Sequence, residues 1–135
     1  EGNTYLFQTK NPWKFWKFGR DFPRNSIFGT TLETNRDVRN ISKASRPRAR
    51  ASNMQEWFMK RKMISIEPIL DFDLEEFVGL IKQIKPEFVS IGADSKNHNL
   101  LEPTPEKIKM LIEELKKFTQ VKIKDNLKRL GLKNE

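Results

Sequence analysis

The chain has no cysteine and a single histidine in 135 residues. Without cysteine it can supply no disulfide, no zinc–thiolate site and no cysteine-ligated iron–sulfur cluster. The lack fits a reducing compartment, and the cytoplasm is the expected location. His98 stands alone in a polar stretch, with no second histidine to share a metal or a proton, and reads as a surface residue. No Ser-His-Asp set can be assembled around it. Long apolar runs are missing too, as is any recognisable secretory leader, so no membrane partner is expected. The six glycines form no phosphate-cradling loop, and neither zinc nor EF-hand spacing occurs.

What the chain does have is a sentence written five times. A short apolar run ends in polar, charged or turn residues, and a helical pattern follows. Thr4-Tyr5-Leu6-Phe7 leads to Gln8-Thr9-Lys10-Asn11-Pro12, and Ser26-Ile27-Phe28-Gly29 to Thr30-Thr31-Leu32-Glu33-Thr34-Asn35. Met63-Ile64-Ser65-Ile66 leads to Glu67-Pro68. Phe88-Val89-Ser90-Ile91 leads to Gly92-Ala93-Asp94-Ser95, and Val121-Lys122-Ile123 to Lys124-Asp125-Asn126. Runs this short, separated by helical spacing, predict successive βα units of a parallel sheet. The fold class expected is α/β, a partial (β/α) barrel of about five parallel strands with helices on the outside, in a single domain over 1–135. Eight such units need about 250 residues, so five cannot close that kind of barrel alone. A strand beginning almost at the first residue, Glu1, favours a chain that starts inside a domain.

The connections are legible to different degrees. Asn11-Pro12 opens a short helix, which Gly19 can end. Trp13, Phe15, Trp16 and Phe18 alternate there with Lys14 and Lys17. The mixture has the look of a stacking platform for nucleic acid, but packing of Trp13 and Trp16 onto the sheet is the favoured expectation. Residues 4–8 read as a buried strand, 36–51 as a mobile loop or weak helix, and 52–60 as a helix with Ser52 and Gln55 at capping-box spacing. Asp73 caps a helix with Leu74, Phe77, Val78, Ile81 and Ile84 at helical spacing, ended by Lys85-Pro86. Thr104-Pro105-Glu106 opens another with Ile108, Leu111, Ile112 and Leu115 on its buried stripe. A last short helix around 126–130 is stopped by Gly131.

Charge is unevenly placed. Of a net +8, +7 lies between Arg36 and Lys62, where nine basic residues meet only Asp37 and Glu56. A positive excess gathered in one connection points to an anionic partner. The partner expected is nucleic acid held by the 36–62 connection through Arg36, Arg39, Arg46, Arg48 and Arg50.

Parallel βα units collect their C-terminal strand ends on one rim. That rim would hold Thr9, Lys10, Glu33, Asn35, Glu67, Asp94, Lys124 and Asn126. Carboxylates and lysines together can bind a zwitterion, shift one another's pKa or hold a metal. Glu67 is the strongest single position, because Pro68 has no N–H to continue a ladder and so ends the strand beside it.

In their order and spacing, the motifs Phe7-Gln8-Thr9-Lys10-Asn11-Pro12, Phe28-Gly29-Thr30-Thr31-Leu32-Glu33-Thr34-Asn35, Ile64-Ser65-Ile66-Glu67-Pro68-Ile69-Leu70, Val89-Ser90-Ile91-Gly92-Ala93-Asp94-Ser95 and Ile123-Lys124-Asp125-Asn126-Leu127 resemble the later part of a radical S-adenosylmethionine barrel. The nearest likeness is to a phage-associated family of that superfamily, with spore photoproduct lyase more distant. It covers nearly the whole chain. The resemblance implies S-adenosylmethionine at the strand ends and, in a complete parent, a 4Fe–4S cluster that cleaves it. It implies Lys10, Thr31, Glu33 and Asn35 near that cofactor, and Glu67, Asp94 and Lys124 as catalytic residues nearer the substrate. The sequence departs from the pattern in lacking the three-cysteine loop and the first two βα units, and in carrying Gly92-Ala93-Asp94-Ser95 for the usual Gly-Gly-Glu-Ser. The expected function is therefore the C-terminal portion of such an enzyme, acting on nucleic acid or a nucleotide. It would be incompetent alone and completed by an N-terminal half or by oligomerisation. The rival is a non-catalytic nucleic-acid-binding module. A weaker third is a metal-dependent lyase or hydrolase using Glu33, Glu67 and Asp94.

Overall fold

The computed structural model describes residues 2–19, 21–38, 43–94 and 100–132. Five strands form one sheet: β1 (Tyr5–Gln8), β2 (Ser26–Thr31), β3 (Arg61–Ile66), β4 (Phe88–Ile91) and β5 (Gln120–Ile123). Their order is β1-β2-β3-β4-β5, and every neighbouring pair is parallel. Helices α1 (Pro47–Asn53), α2 (Leu74–Ile84) and α3 (Pro105–Leu115) fill the last three connections, and 3-10 helices cover Pro12–Phe18 and Asp125–Leu130. The repeated βα pattern thus becomes an α/β sheet of parallel strands. Strands adjacent in sequence are adjacent in space, and α2 packs beside both α1 and α3.

Strand side chains alternate between faces, and the two faces have different fates. Phe28, Ile64, Ile66, Val89 and Ile91 point to the helices and join Phe77, Ile81, Ile108, Leu111 and Leu115 in one buried cluster. Burying each such side chain contributes roughly 1.5–3 kcal/mol. On the opposite face the centre is closed, with Ile27, Thr31, Met63 and Ser65 buried, and the margins are open: Leu6 is 52% exposed, and Gln8, Gln120 and Lys122 face solvent.

Several connections differ from the sequence expectation. The first strand is an exposed edge, because it pairs on one side only. In the basic connection the helix falls at 47–53 rather than 52–60. Pro47 at its first position presets φ, and buried Arg50 ties it down, so it needs no apolar periodicity. Trp57 then lies on a turn, 69% exposed. The first helix is 3-10, with a three-residue period. Pro12 and Phe15 face inward, and Trp13 and Trp16 face out instead of packing on the sheet. Asp73 occupies the cap position of α2 without capping through its side chain. Its own N–H donates to Asn35 Oδ1 at 2.8 Å, so β2's extension seats the helix start.

Candidate functional site

Strand register decides which tip residues meet. Thr31 pairs with Ser65, Ser65 with Ser90 and Ser90 with Lys122, giving a polar row on the face away from the helices. The ladder goes one bond past Thr31, Leu32 N–H donating to Ser65 O at 2.9 Å, and Glu33 follows at the tip of β2 as Glu67 does at the tip of β3. One residue past Ile66, Ile91 and Ile123, the register sets Glu67 beside Gly92 and Gly92 beside Lys124. Glu67, Gly92 and Lys124 share the parity of the polar row, so the C-terminal edge of that face carries a carboxylate, a glycine and a lysine in line, with Glu33 at the tip of the next strand, β2. The segment after Pro68 stitches the edge together: Ile69 N–H donates to Gly92 O at 2.9 Å and Leu70 N–H to Glu33 O at 3.0 Å. The Glu67–Pro68 peptide bond is cis.

Glu33 is buried. Its Oε2 accepts from Arg50 Nη1 at 2.9 Å, and Arg50 also donates to the carbonyls of Thr31 (2.7 Å) and Ser45 (2.6 Å). Arg50 therefore acts as an internal clamp on the carboxylate. Lys10 Nζ stands 3.5 Å from Oε1, a coulombic contact outside hydrogen-bond geometry, so Oε1 is buried without a hydrogen-bond donor. Glu33 also lines a cavity of about 240 Å³, together with Arg36, Lys43, Arg46 and Arg50 among others. A buried acceptor with no donor, on a residue that lines a cavity, is the kind of group a ligand satisfies.

Glu67 reaches sideways across the tip of β4. A Cβ on Gly92 would overlap its carboxylate and come within 3.1 Å of Asn126 Oδ1. The absence of a side chain at Gly92 lets Glu67 Oε2 lie 2.8 Å from Lys124 Nζ. That contact too is off the hydrogen-bond direction, and Oε2 has no hydrogen-bond donor. Asn126 fixes the neighbouring backbone: its Oδ1 accepts from Ala93 N–H and its Nδ2 donates to Ala93 O, both at 2.9 Å. Comparison with protein-family models, with curated proteins and with solved structures returned no match. The site's chemistry therefore rests on this geometry.

The other expected residues are placed as follows. Thr31 is buried and offers its carbonyl to Arg50. Asn35 is occupied by the start of α2, with Nδ2 donating to Asp73 and Glu76 at 3.1 Å each. Asp94 follows the Asn126-held backbone, and its carbonyl accepts from Arg129 at 3.0 Å. Among the described residues no group of three or more His, Asp or Glu is arranged to hold a metal ion, so Glu33, Glu67 and Asp94 do not assemble the third reading's site. Arg39, Ser95 and His98 lie outside the described residues.

The described arginines of the basic connection are engaged within the chain. Arg36 donates to Asp71 (3.0 Å) and to both oxygens of Asp73. Arg46 pairs with Asp37 at 3.2 Å, Arg48 with Glu76, and Arg50 with Glu33. Hydrogen bonds from Arg36 and then Asn35 bring the Asp73 carboxyl down to about 2. The Lys107 hydrogen bond, at 2.6 Å, leads those that hold Asp71 below the usual carboxylate range. Lys62 Nζ donates to Ile84 O at the end of α2, and burial followed by Lys85 repulsion lowers its pKa. From sequence Lys122 reads as outward-facing and Gly92 as part of a small, polar tip fit to pass close to a ligand, but neither these two nor Ser65 and Ser90 are joined there into one row. Period-two alternation within the predicted strands was the signal for Ser65, Ser90 and Lys122.

Proposed function

We propose that this chain is the later arc of a (β/α) barrel of the radical S-adenosylmethionine type, and that its part is to bind the adenosyl cofactor at the rim. The carrying observation is Glu33 Oε1, a buried acceptor without a donor, standing beside Lys10 at the edge of an open parallel sheet. An amino acid zwitterion bearing a ribose matches that donor set: an ammonium or ribose hydroxyl donates to Glu33, and a carboxylate meets Lys10. Sequential strand order with helices side by side supports the barrel arc, since alternation of βα units on one side curves a sheet in this way. The polar row Thr31, Ser65, Ser90 and Lys122 suits the inward face of such an arc.

The iron–sulfur cluster does not fit this chain. Thiolates hold such clusters, and the sequence has none. Reductive cleavage is the chemistry that a cluster and S-adenosylmethionine supply together. This chain's own residues bind and orient: Arg50 fixes Glu33, Lys10 neutralises it, and Glu67 with Lys124 presents a paired acid and base further along the edge.

Isothermal titration of the chain with S-adenosylmethionine tests the reading. Glu33→Gln is expected to weaken binding at least tenfold, about 1.4 kcal/mol, with the fold retained by circular dichroism. Absence of binding at millimolar ligand, or equal affinity in Glu33→Gln, overturns it.

A further inference from the structure

We propose that the 3-10 helix Pro12–Phe18 is a docking surface for single-stranded nucleic acid, separate from the rim and independent of the cofactor reading. The helix period sorts its side chains into ridges. Three residues per turn align side chains three apart, so Trp13 and Trp16 form one ridge and Lys14 and Lys17 the next. The third ridge turns Pro12 and Phe15 into the protein. Trp13 is 42% exposed, Trp16 67% and Phe18 56%. Large aromatic side chains are mostly buried in folded proteins, and the exposed ridge of Trp13 and Trp16, with Phe18 emerging at the helix end from the ridge of Pro12 and Phe15, forms a patch that calls for a partner.

The charge around the patch selects the partner. No acidic residue occurs between Glu1 and Asp21. Lys17 Nζ lies 5.1 Å and Lys14 Nζ 5.9 Å from the Trp13 ring, and no carboxylate partner is found for either among the described residues. The arginines of the 36–50 stretch stand in contrast, each described one already paired with an acid of this chain. Lys14 and Lys17 are therefore among the lysines left for an outside anion, and they lie interleaved with flat aromatic faces. Bases stack on aromatic rings while lysines meet phosphates, and only an unpaired strand offers base faces. A membrane surface fits less well, since the helix directs Pro12 and Phe15 inward and keeps no aliphatic face for lipid.

The ridge is also held in place. Asn11 Oδ1 accepts from Ser45 N–H at 3.3 Å at its start. Phe58 packs against Gly19 at its end, and Phe15 sits edge-on to Phe22 and Phe28. A fixed platform loses little freedom on binding.

Fluorescence anisotropy of the full chain with a labelled oligothymidylate tests the proposal, with folding of every variant checked by circular dichroism. The unmodified chain is expected to bind the single strand in preference to a duplex. Trp13→Ala/Trp16→Ala should weaken binding at least tenfold. Lys14→Ala/Lys17→Ala should reduce the log–log salt slope by about 1.4, at roughly 0.7 per phosphate for single strands. Arg48→Ala should leave affinity and slope unchanged. The proposal is overturned if the tryptophan pair can be removed without loss, if duplex binds as well, or if Arg48→Ala removes binding. It is equally overturned if the chain instead self-associates through Trp16, or binds anionic vesicles and no oligonucleotide.

Discussion

Arg50 and Gly92 set the two carboxylates of the rim, each by a different device. Arg50 is buried to 4% side-chain exposure against Glu33 at 6%. Removing one member of a buried pair leaves an uncompensated charge, which typically costs about 3–5 kcal/mol. Arg50→Met is accordingly expected to lower unfolding free energy by about that amount in urea titration. Little change would show that Lys10 alone suffices for Glu33. Gly92 acts by vacancy. In Gly92→Ala the Glu67 carboxylate must leave its place over β4 and lose Lys124. That pair is partly exposed, so the stability at stake is at most about 1 kcal/mol. The informative result is coupling: Lys124→Met should cost nothing further in the Gly92→Ala background. Additive losses would show that Glu67 finds Lys124 by another path.

The elements meet through a charged joint between the extension of β2 and the starts of α2 and α3. Asn35, Arg36, Asp71, Asp73 and Lys107 form it. A carboxylate whose folded pKa lies below its unfolded value of about 3.9 stabilises the fold above that value. The contribution goes as pH falls through the folded value, here about 2 for Asp73. Melting temperature should therefore drop between about pH 4 and pH 2, and Asp73→Asn should flatten part of that fall. An unaltered acid limb in Asp73→Asn would assign it to other groups. None of this joint is legible from sequence, because its partners lie 35 to 38 residues apart. The five strands and helices α2 and α3 were legible because apolar spacing encodes them. Helix α1 was not, since it is held by Pro47 and the polar ties of Arg50. The tryptophans of the first helix were misplaced because a period of three, in place of 3.6, turns Trp13 and Trp16 outward.

Across the whole molecule, the sheet is protected unevenly. β3 has partners on both sides, and Ile64 and Ile66 are fully buried. β1 has one partner and exposes Tyr5 and Leu6. Hydrogen exchange should be slowest in β3 and faster by orders of magnitude in β1, as opening there costs least. Uniform protection would mean that the sheet opens only as a unit. The rim was half legible at this scale: strand ends gave Glu33, Glu67 and Lys124, but the basic connection read as a free positive surface. Of its described arginines, Arg36, Arg46 and Arg48 are answered by Asp37, Asp71, Asp73 and Glu76, three of which follow β3 in the sequence.

Consecutive strand order carries a consequence of its own. Each βα unit leans chiefly on the unit before and the unit after it, the Glu67–Lys124 pair across β4 being a reach of one unit further, so the architecture has no single keystone. A further unit can be grafted onto either margin, or an outermost one shed, without rethreading those between. Chains built this way change length by whole paragraphs, and homologous proteins of unequal size can keep the same central grammar.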